Sequence, residues 1–220
     1  MTTKIPVVQQ ILTANDQIAD QNLITLNGKG VYAINIMASP GAGKTSTILK
    51  TFELLKNKVK MGVVEGDLAT SIDADKADAA GIPVVQINTG GGCHLDAVML
   101  QGAFPQLPLS DLDLVIVENV GNLVCPANIK IGTHKNVLVA SIPEGDDKPY
   151  KYPGMYRGVD ALIINKMDLM PYIDFDLDYF LKGVEILNPG LESFPVSCKT
   201  GEGFEAWIDW LMKQVKSHDG

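Results

Sequence analysis

The chain has little of several things, and each shortage excludes something. Only three cysteines, Cys93, Cys125 and Cys198, occur in 220 residues. An odd and sparse set argues against a disulfide framework and leaves metal binding, redox chemistry or simple packing. No apolar run reaches the roughly 18 residues of a membrane-spanning helix, so no membrane span is expected. Positive charge is scarce: 18 Lys and Arg face 26 Asp and Glu, for a net charge of −8. With no basic stripe or Lys/Arg run, a nucleic-acid partner is not expected. The first residues, Met1-Thr2-Thr3-Lys4-Ile5-Pro6, lack the apolar core and cleavage site of a signal peptide, and a cytoplasmic location is expected.

What is present has the balance of a soluble globular protein, 46% hydrophobic and 20% charged. The length suits one α/β domain over residues 1–220, with a helical segment at 1–28 before a core at 29–220. Val8, Ile11, Leu12, Ile18, Leu23 and Leu26 recur at helical spacing within 5–27. Asn27-Gly28-Lys29-Gly30 then breaks the helix. Apolar strands are predicted at 31–37, 61–65, 83–87, 113–118, 136–142, 160–165 and 194–198. Helices are predicted between most of them, at 43–57, 70–80, 94–102, 175–187 and 202–216. Continuous runs such as Leu114-Val115-Ile116-Val117 suit strands buried on both faces of a parallel sheet. The alternation predicts a doubly wound, mostly parallel sheet with helices on both faces. The charged and Pro-containing stretch 143–153 reads as an exposed loop near the site.

The strongest motif is Ala38-Ser39-Pro40-Gly41-Ala42-Gly43-Lys44-Thr45, followed by Ser46. It lies between a predicted strand and a predicted helix, the context that a phosphate-binding P-loop needs. Backbone N–H groups of Gly41, Ala42 and Gly43 would cradle phosphates at the helix N-terminus. Lys44 would reach the β/γ-phosphates as a point charge, and the Thr45 hydroxyl would hold Mg²⁺. Ala38 stands where glycine is usual, and alanine disfavours positive φ. A second motif, Asn165-Lys166-Met167-Asp168, ends a predicted strand. The Asp168 carboxylate can accept from both N1–H and the exocyclic amine of guanine, and adenine would leave it desolvated and unpaired. Asn165 can tie neighbouring loops, and the Lys166 stem can cover the base. Ser197-Cys198-Lys199 ends another strand, where backbone amides can meet the base carbonyl. Together these point to GTP and GDP. Ser39 stands where ATPases of the MinD/ParA type carry a second lysine, which disfavours that branch.

Glu65-Gly66-Asp67 ends the second strand and Asp73 follows it; hard carboxylates there suit Mg²⁺ on phosphate oxygens. Asp67 is also a candidate for positioning water. Glu118-Asn119-Val120-Gly121 ends a later strand, and the Gly121 N–H is a candidate γ-phosphate contact. Cys93-His94 follows three glycines, and Cys125 lies a few residues past Gly121. Thiolate and imidazole suit Ni²⁺ or Zn²⁺. Three ligands are one short of a closed tetrahedral site, which two chains would complete. On the residues alone, buried small side chains and a capping histidine explain the same pattern at least as well. His134 reads as structural, Cys198 as packing, and His218 as a silent residue near the terminus. Trp207 and Trp210 share the last predicted helix, and one of the two is expected at an interface.

The ordered set SPGAGKT, EGD, GGGCHLDA, ENVGNLVCP, NKMD and SCKTGEG closely resembles the hydrogenase nickel-incorporation GTPases of the HypB family. The resemblance spans nearly the whole chain; GGGCHLDA and ENVGNLVCP are its specific parts. It implies a SIMIBI-class GTPase that dimerises with GTP and binds Ni²⁺ or Zn²⁺ at Cys93, His94 and Cys125. It implies Mg²⁺ at Thr45, Asp67 and Asp73, and catalytic roles for Lys44 and Asp67. It also implies a HypA-type nickel chaperone and the large subunit of a [NiFe]-hydrogenase as partners. The chain departs from some relatives in lacking a Cys-x-x-Cys-Gly-Cys motif and a His-rich tract. It also has Val98 and Gly102 where some carry histidines. A urease-type nickel GTPase predicts Cys-Pro-His, which is absent. A regulatory GTPase with packing cysteines, and a small-molecule kinase, remain as other classes; the guanine motif argues against the kinase.

Overall fold

A computed structural model describes residues 7–218. Residues 5 and 6 of the first predicted helix, and the side chains of Val8 and Ile11, lie outside the described set, as does the segment Met1 to Pro6. The elements run α1 (Val7–Asn27), β1 (Tyr32–Ala38), α2 (Lys44–Leu55), β2 (Met61–Asp67), α3 (Ile72–Ala79), β3 (Val84–Asn88) and α4 (Ala97–Ala103). There follow β4 (Leu114–Glu118), β5 (Lys135–Ser141), α5 (Lys148–Lys151), α6 (Pro153–Arg157), β6 (Ala161–Asn165), α7 (Leu177–Leu187), β7 (Ser193–Pro195) and α8 (Phe204–His218).

Seven strands form one sheet in the order β3-β2-β4-β1-β5-β6-β7, and every pairing is parallel. Strands β1, β4 and β6 are buried at every position, as the unbroken apolar runs predict for strands covered on both faces. Alternate residues of each strand feed opposite cores. Ile34, Ile36, Val137 and Ile163 pack against Ile48 and Leu55 of α2 and Trp207 and Leu211 of α8. On the other face, Ala33, Val115 and Val117 meet Leu26 of α1 and Leu100 of α4. Leu138, Leu162 and Ile164 meet Tyr156 of α6 and Phe180 and Val184 of α7. Burial of this kind contributes about 25 cal/mol per Å² of apolar surface removed from water.

Three expectations are corrected. The stretch 143–153 is not an open loop. A 3-10 turn reaches Glu144, and two short helices, α5 and the start of α6, occupy the second half of the stretch, with proline in the first turn of each, where no N–H is needed. The strand expected at 194–198 stops at Pro195, because the Ser197 N–H turns back to the Glu202 carbonyl at 3.0 Å. Both tryptophans of α8 are buried, at 0% and 7% exposure. Residues three apart share a helix face, so Trp207 and Trp210 stack at 5.3 Å and neither is at an interface within this chain.

The histidines at the other end of the sheet are also packed. The His134 Nδ1 accepts from the Ala33 N–H at 2.9 Å, and its ring stacks on Tyr32. His218 packs as well: its ring lies edge-on to His134 at 4.5 Å. Burial, and then the neighbouring His218, push the His134 pKa down to about 4. None of the helices among the described residues is long and apolar enough to cross a membrane.

Candidate functional site

The C-terminal ends of β1, β2, β4 and β6 converge, which is where ligands bind in open parallel sheets. The loop after β1 carries its left-handed turns at Gly41 (φ 78°) and Gly43 (φ 103°). Ala38 is the last residue of β1, paired with Val139 of β5, so alanine there meets no demand for positive φ. Lys44 and Thr45 open α2, directly behind the phosphate cradle, with Ser46 one residue further along.

The Asn-Lys-x-Asp loop is fastened onto this cradle. Buried Asn165 donates from Nδ2 to the Ala42 carbonyl at 3.0 Å, and its Oδ1 accepts from the Lys166 N–H at 2.7 Å. Lys166 is the one non-glycine residue with positive φ among those described, at 63°. Its Nζ donates to the Gly41 carbonyl at 2.7 Å. Backbone strain at a site is tolerated where the surroundings hold it in this way. A Cβ on Gly43 would lie 2.3 Å from Asn165 Nδ2, so glycine is required by close approach as well as by φ. Asp168 accepts from the Ser197 hydroxyl at 2.7 Å, and the Cys198 N–H reaches Asn165 Oδ1 at 3.3 Å. A cavity of about 650 Å³ opens between them, lined by Gly43, Ser46, Asn165, Lys166, Asp168, Cys198 and Lys199 among others. That size suits a nucleotide base and ribose.

The carboxylates gather at the phosphate end. Glu65 and Glu118 are opposite each other in the β2–β4 register. The Thr45 hydroxyl donates to Glu118 Oε1 at 2.8 Å. Burial raises Glu118 to about 7. Burial, then the charges of Glu118, Asp67 and Asp73, raise Glu65 to about 8. Glu65 Oε2 is buried with no hydrogen-bond partner, a costly state for a carboxylate. Two buried acids side by side, next to a threonine hydroxyl, fit a hard divalent cation. The sequence places Glu65 among the hard carboxylates suited to Mg²⁺ but does not pair it with Glu118, because that pairing is a fact of strand register. Asp67 is occupied locally: its Oδ1 accepts from the Ala69 and Thr70 N–H groups at 2.8 Å each, which holds its pKa low. Asp73 pairs with Lys76 at 2.6 Å.

Gly121 lies against the P-loop, where a Cβ would come within 3.0 Å of the Pro40 backbone. Past it, the chain returns to the cysteine cluster. Ligand atoms of Cys93, His94 and Cys125 lie within 4.8 Å of one another. Cys93 Sγ is 3.5 Å from His94 Nδ1. The adjoining Cys125 thiol raises the Cys93 pKa. Cys198 stands apart, 3.4 Å from the Thr47 hydroxyl.

Residues 32–195 match the family described as CobW/HypB/UreG, nucleotide-binding domain. The hydrogenase maturation factor HypB of Azotobacter chroococcum is 42% identical over 210 residues, covering 96% of this chain and 69% of that protein. The chain belongs to the HypB family. It is a P-loop GTPase. A probable family member from Methanocaldococcus jannaschii is 40% identical over 212 residues and 96% of each chain. A crystal structure of HypB from Helicobacter pylori in complex with nickel superposes with a TM-score of 0.88, at 38% identity, over 93% of this chain and 96% of that one. The family's seven-stranded GTPase fold accounts for the parallel sheet and for the loops that meet at its edge.

Proposed function

We propose that this GTPase is a nickel metallochaperone for hydrogenase maturation, a GTP-dependent homodimer that carries metal at Cys93, His94 and Cys125. The observation that carries the reading is the convergence of those three ligands beside the loop that meets the P-loop. Relatives named as hydrogenase maturation factors, and one relative crystallised with nickel, support it. Soft donors select Ni²⁺ or Zn²⁺ over the hard cation of the nucleotide site. Three ligands leave the set incomplete, and a second copy of the chain would complete it.

In this reading Gly41, Ala42 and Gly43 bind phosphates through N–H groups, and Lys44 neutralises the β/γ-oxygens. Asp168 reads guanine, with Asn165, Lys166, Ser197, Cys198 and Lys199 around the base. Thr45, Asp67 and Asp73, with Glu65 and Glu118 behind them, would hold Mg²⁺, which supplies charge neutralisation at the transferring phosphoryl group. The Gly121 N–H senses the γ-phosphate. Loop movement there reaches Cys125, so metal affinity differs between GTP and GDP states, as any such switch requires. A HypA-type chaperone and a [NiFe]-hydrogenase large subunit are the partners, in the cytoplasm.

The test is nickel and zinc binding with GDP and with a non-hydrolysable GTP analogue, for the parent chain, Cys93→Ala and Cys125→Ala, with molar mass read on the same samples. Nucleotide-dependent binding lost in both variants, at a stoichiometry tied to the dimer, is expected. Tight GTP binding without thiol-dependent metal would leave a regulatory GTPase with packing cysteines.

A further inference from the structure

We propose that Asn122 is the positioning residue that ties the Cys125 thiol to the P-loop, so that nucleotide state is passed to the metal ligand through one side chain. The inference rests on the nickel site proposed above. Asn122 makes contacts in two directions. Its backbone N–H donates to the Ala38 carbonyl at 2.8 Å, at the point where β1 enters the P-loop. Its side chain faces the cysteine. Oδ1 accepts from the Val124 N–H at 2.7 Å and the Cys125 N–H at 3.1 Å, an Asx turn that fixes the start of the 125–128 helical turn. Those two donors settle which end of the amide is oxygen. Nδ2 therefore points to Cys125 Sγ, at 3.3 Å.

An N–H donor on sulfur orients the ligand atom. The residue before it, Gly121, is pressed against Pro40 with no room for a side chain. A γ-phosphate contact at Gly121 would therefore displace the Asn122 backbone as well. Because the amide is held by two N–H groups of its own turn, the turn moves as a unit and Sγ moves with it. The cluster's other half is tied to the body of β1: Cys93 and His94 are followed by Leu95, whose N–H donates at 2.9 Å to Asn119 Oδ1, and Asn119 in turn donates to the Ile36 carbonyl at 2.9 Å and to Asn35 Oδ1 at 3.2 Å. Cys125 is thus the ligand whose turn is bonded where β1 enters the P-loop, at Ala38, whereas Cys93 and His94 are anchored further back on the strand, at Asn35 and Ile36.

The test uses the full chain with Asn122→Asp and Asn122→Ala. Aspartate keeps the turn acceptor and the backbone bond to Ala38 but removes the N–H donor to sulfur. Alanine removes the acceptor as well. Nickel(II) and zinc(II) dissociation constants are measured by chelator competition with GDP and with a non-hydrolysable GTP analogue, beside the thiolate-to-nickel charge-transfer band. The parent chain is expected to show a GDP/GTP ratio of at least about fivefold, at the lower end of ordinary coupling. In both variants GTP-analogue affinity stays within about threefold, the metal ratio falls towards one, and the band moves to lower energy. Parent-like ratios and band positions in both variants would overturn the role of Asn122 while leaving the metal site standing. A parent chain that binds metal equally in both states would overturn it too. Absence of thiol-dependent metal in the parent chain would overturn the proposed function itself, and this inference with it.

Discussion

Two residues of the proposed nucleotide site each carry a test. Glu65 is held neutral by burial and by neighbouring acids, with its pKa up at about 8. A carboxyl group whose pKa rises on folding stabilises the fold in full below its unfolded value. That contribution is lost as pH rises through the folded value. Glu65→Gln should therefore raise the melting temperature of the nucleotide-free protein at pH 8.5 and leave it unchanged at pH 4. Each kcal/mol relieved is worth about 2–4 °C in a chain of this size. Scanning calorimetry at both pH values checks this, and an equal gain at both would refute the assignment. Asp168 already accepts from Ser197 at 2.7 Å, which aims it across the base cavity. Hydrogen bonds to a charged group contribute about 1.5–3 kcal/mol each. Asp168→Ala should cost about 100-fold or more in GTP affinity and erase the preference over ATP, read by competition with a fluorescent guanine nucleotide.

At the scale of elements, α2 and α8 are joined by one polar contact inside an apolar layer. Trp207 Nε1 donates to Thr51 Oγ1 at 2.9 Å, and Thr51 in turn donates to the Thr47 carbonyl at 2.8 Å. Both residues are fully buried. Trp207→Phe removes the donor and leaves space beside Trp210. The expected loss is about 1–3 kcal/mol, the cost of an unsatisfied buried group, measured as a lower denaturation midpoint at unchanged slope. A midpoint within about 0.5 kcal/mol of the parent, the usual effect of surface substitutions, would show that the contact is dispensable. Element identity was largely legible beforehand, because long apolar runs and helical spacing survive any packing. The 143–153 stretch was misread because its prolines look like loop residues until their places in the first turns of α5 and α6 are seen.

For the whole molecule, two opposed titrations set how stability changes with pH. His134 is half-buried and held neutral, with its pKa lowered to about 4, so stability is lost as pH falls from the unfolded histidine value of about 6.5 towards 4. Glu65 and Glu118 have raised values of about 8 and about 7, so stability is lost as pH rises towards 8. Above the unfolded carboxyl value of about 4.3 two glutamates lose stability where one histidine gains it, so these groups should make the nucleotide-free protein less stable as pH rises from about 4.5 to 8. Mg²⁺ with GDP should flatten the alkaline side alone, because the cation supplies the charge that the glutamates lack. Melting temperatures from pH 4.5 to 8.5, with and without Mg²⁺–GDP, test this. A profile unchanged by the ligand on the alkaline side would sink it.

Local order in the chain determined the strands, the P-loop and the guanine loop, because each is a run of adjacent residues whose chemistry needs no distant partner. Gly41, Gly43, Lys44 and Asp168 can be read one motif at a time. The tertiary structure alone decided what depends on register and on approach between separate loops. It set Glu65 opposite Glu118, both Trp207 and Trp210 in the core, and His218 against His134. It also brought Cys93 and His94 to within ligand distance of Cys125, and Asn122 onto both Ala38 and Cys125. The physical reason is that a period-2 strand or a 3.6-residue helix fixes which face a residue takes, whereas strand order and loop return fix which residue it meets.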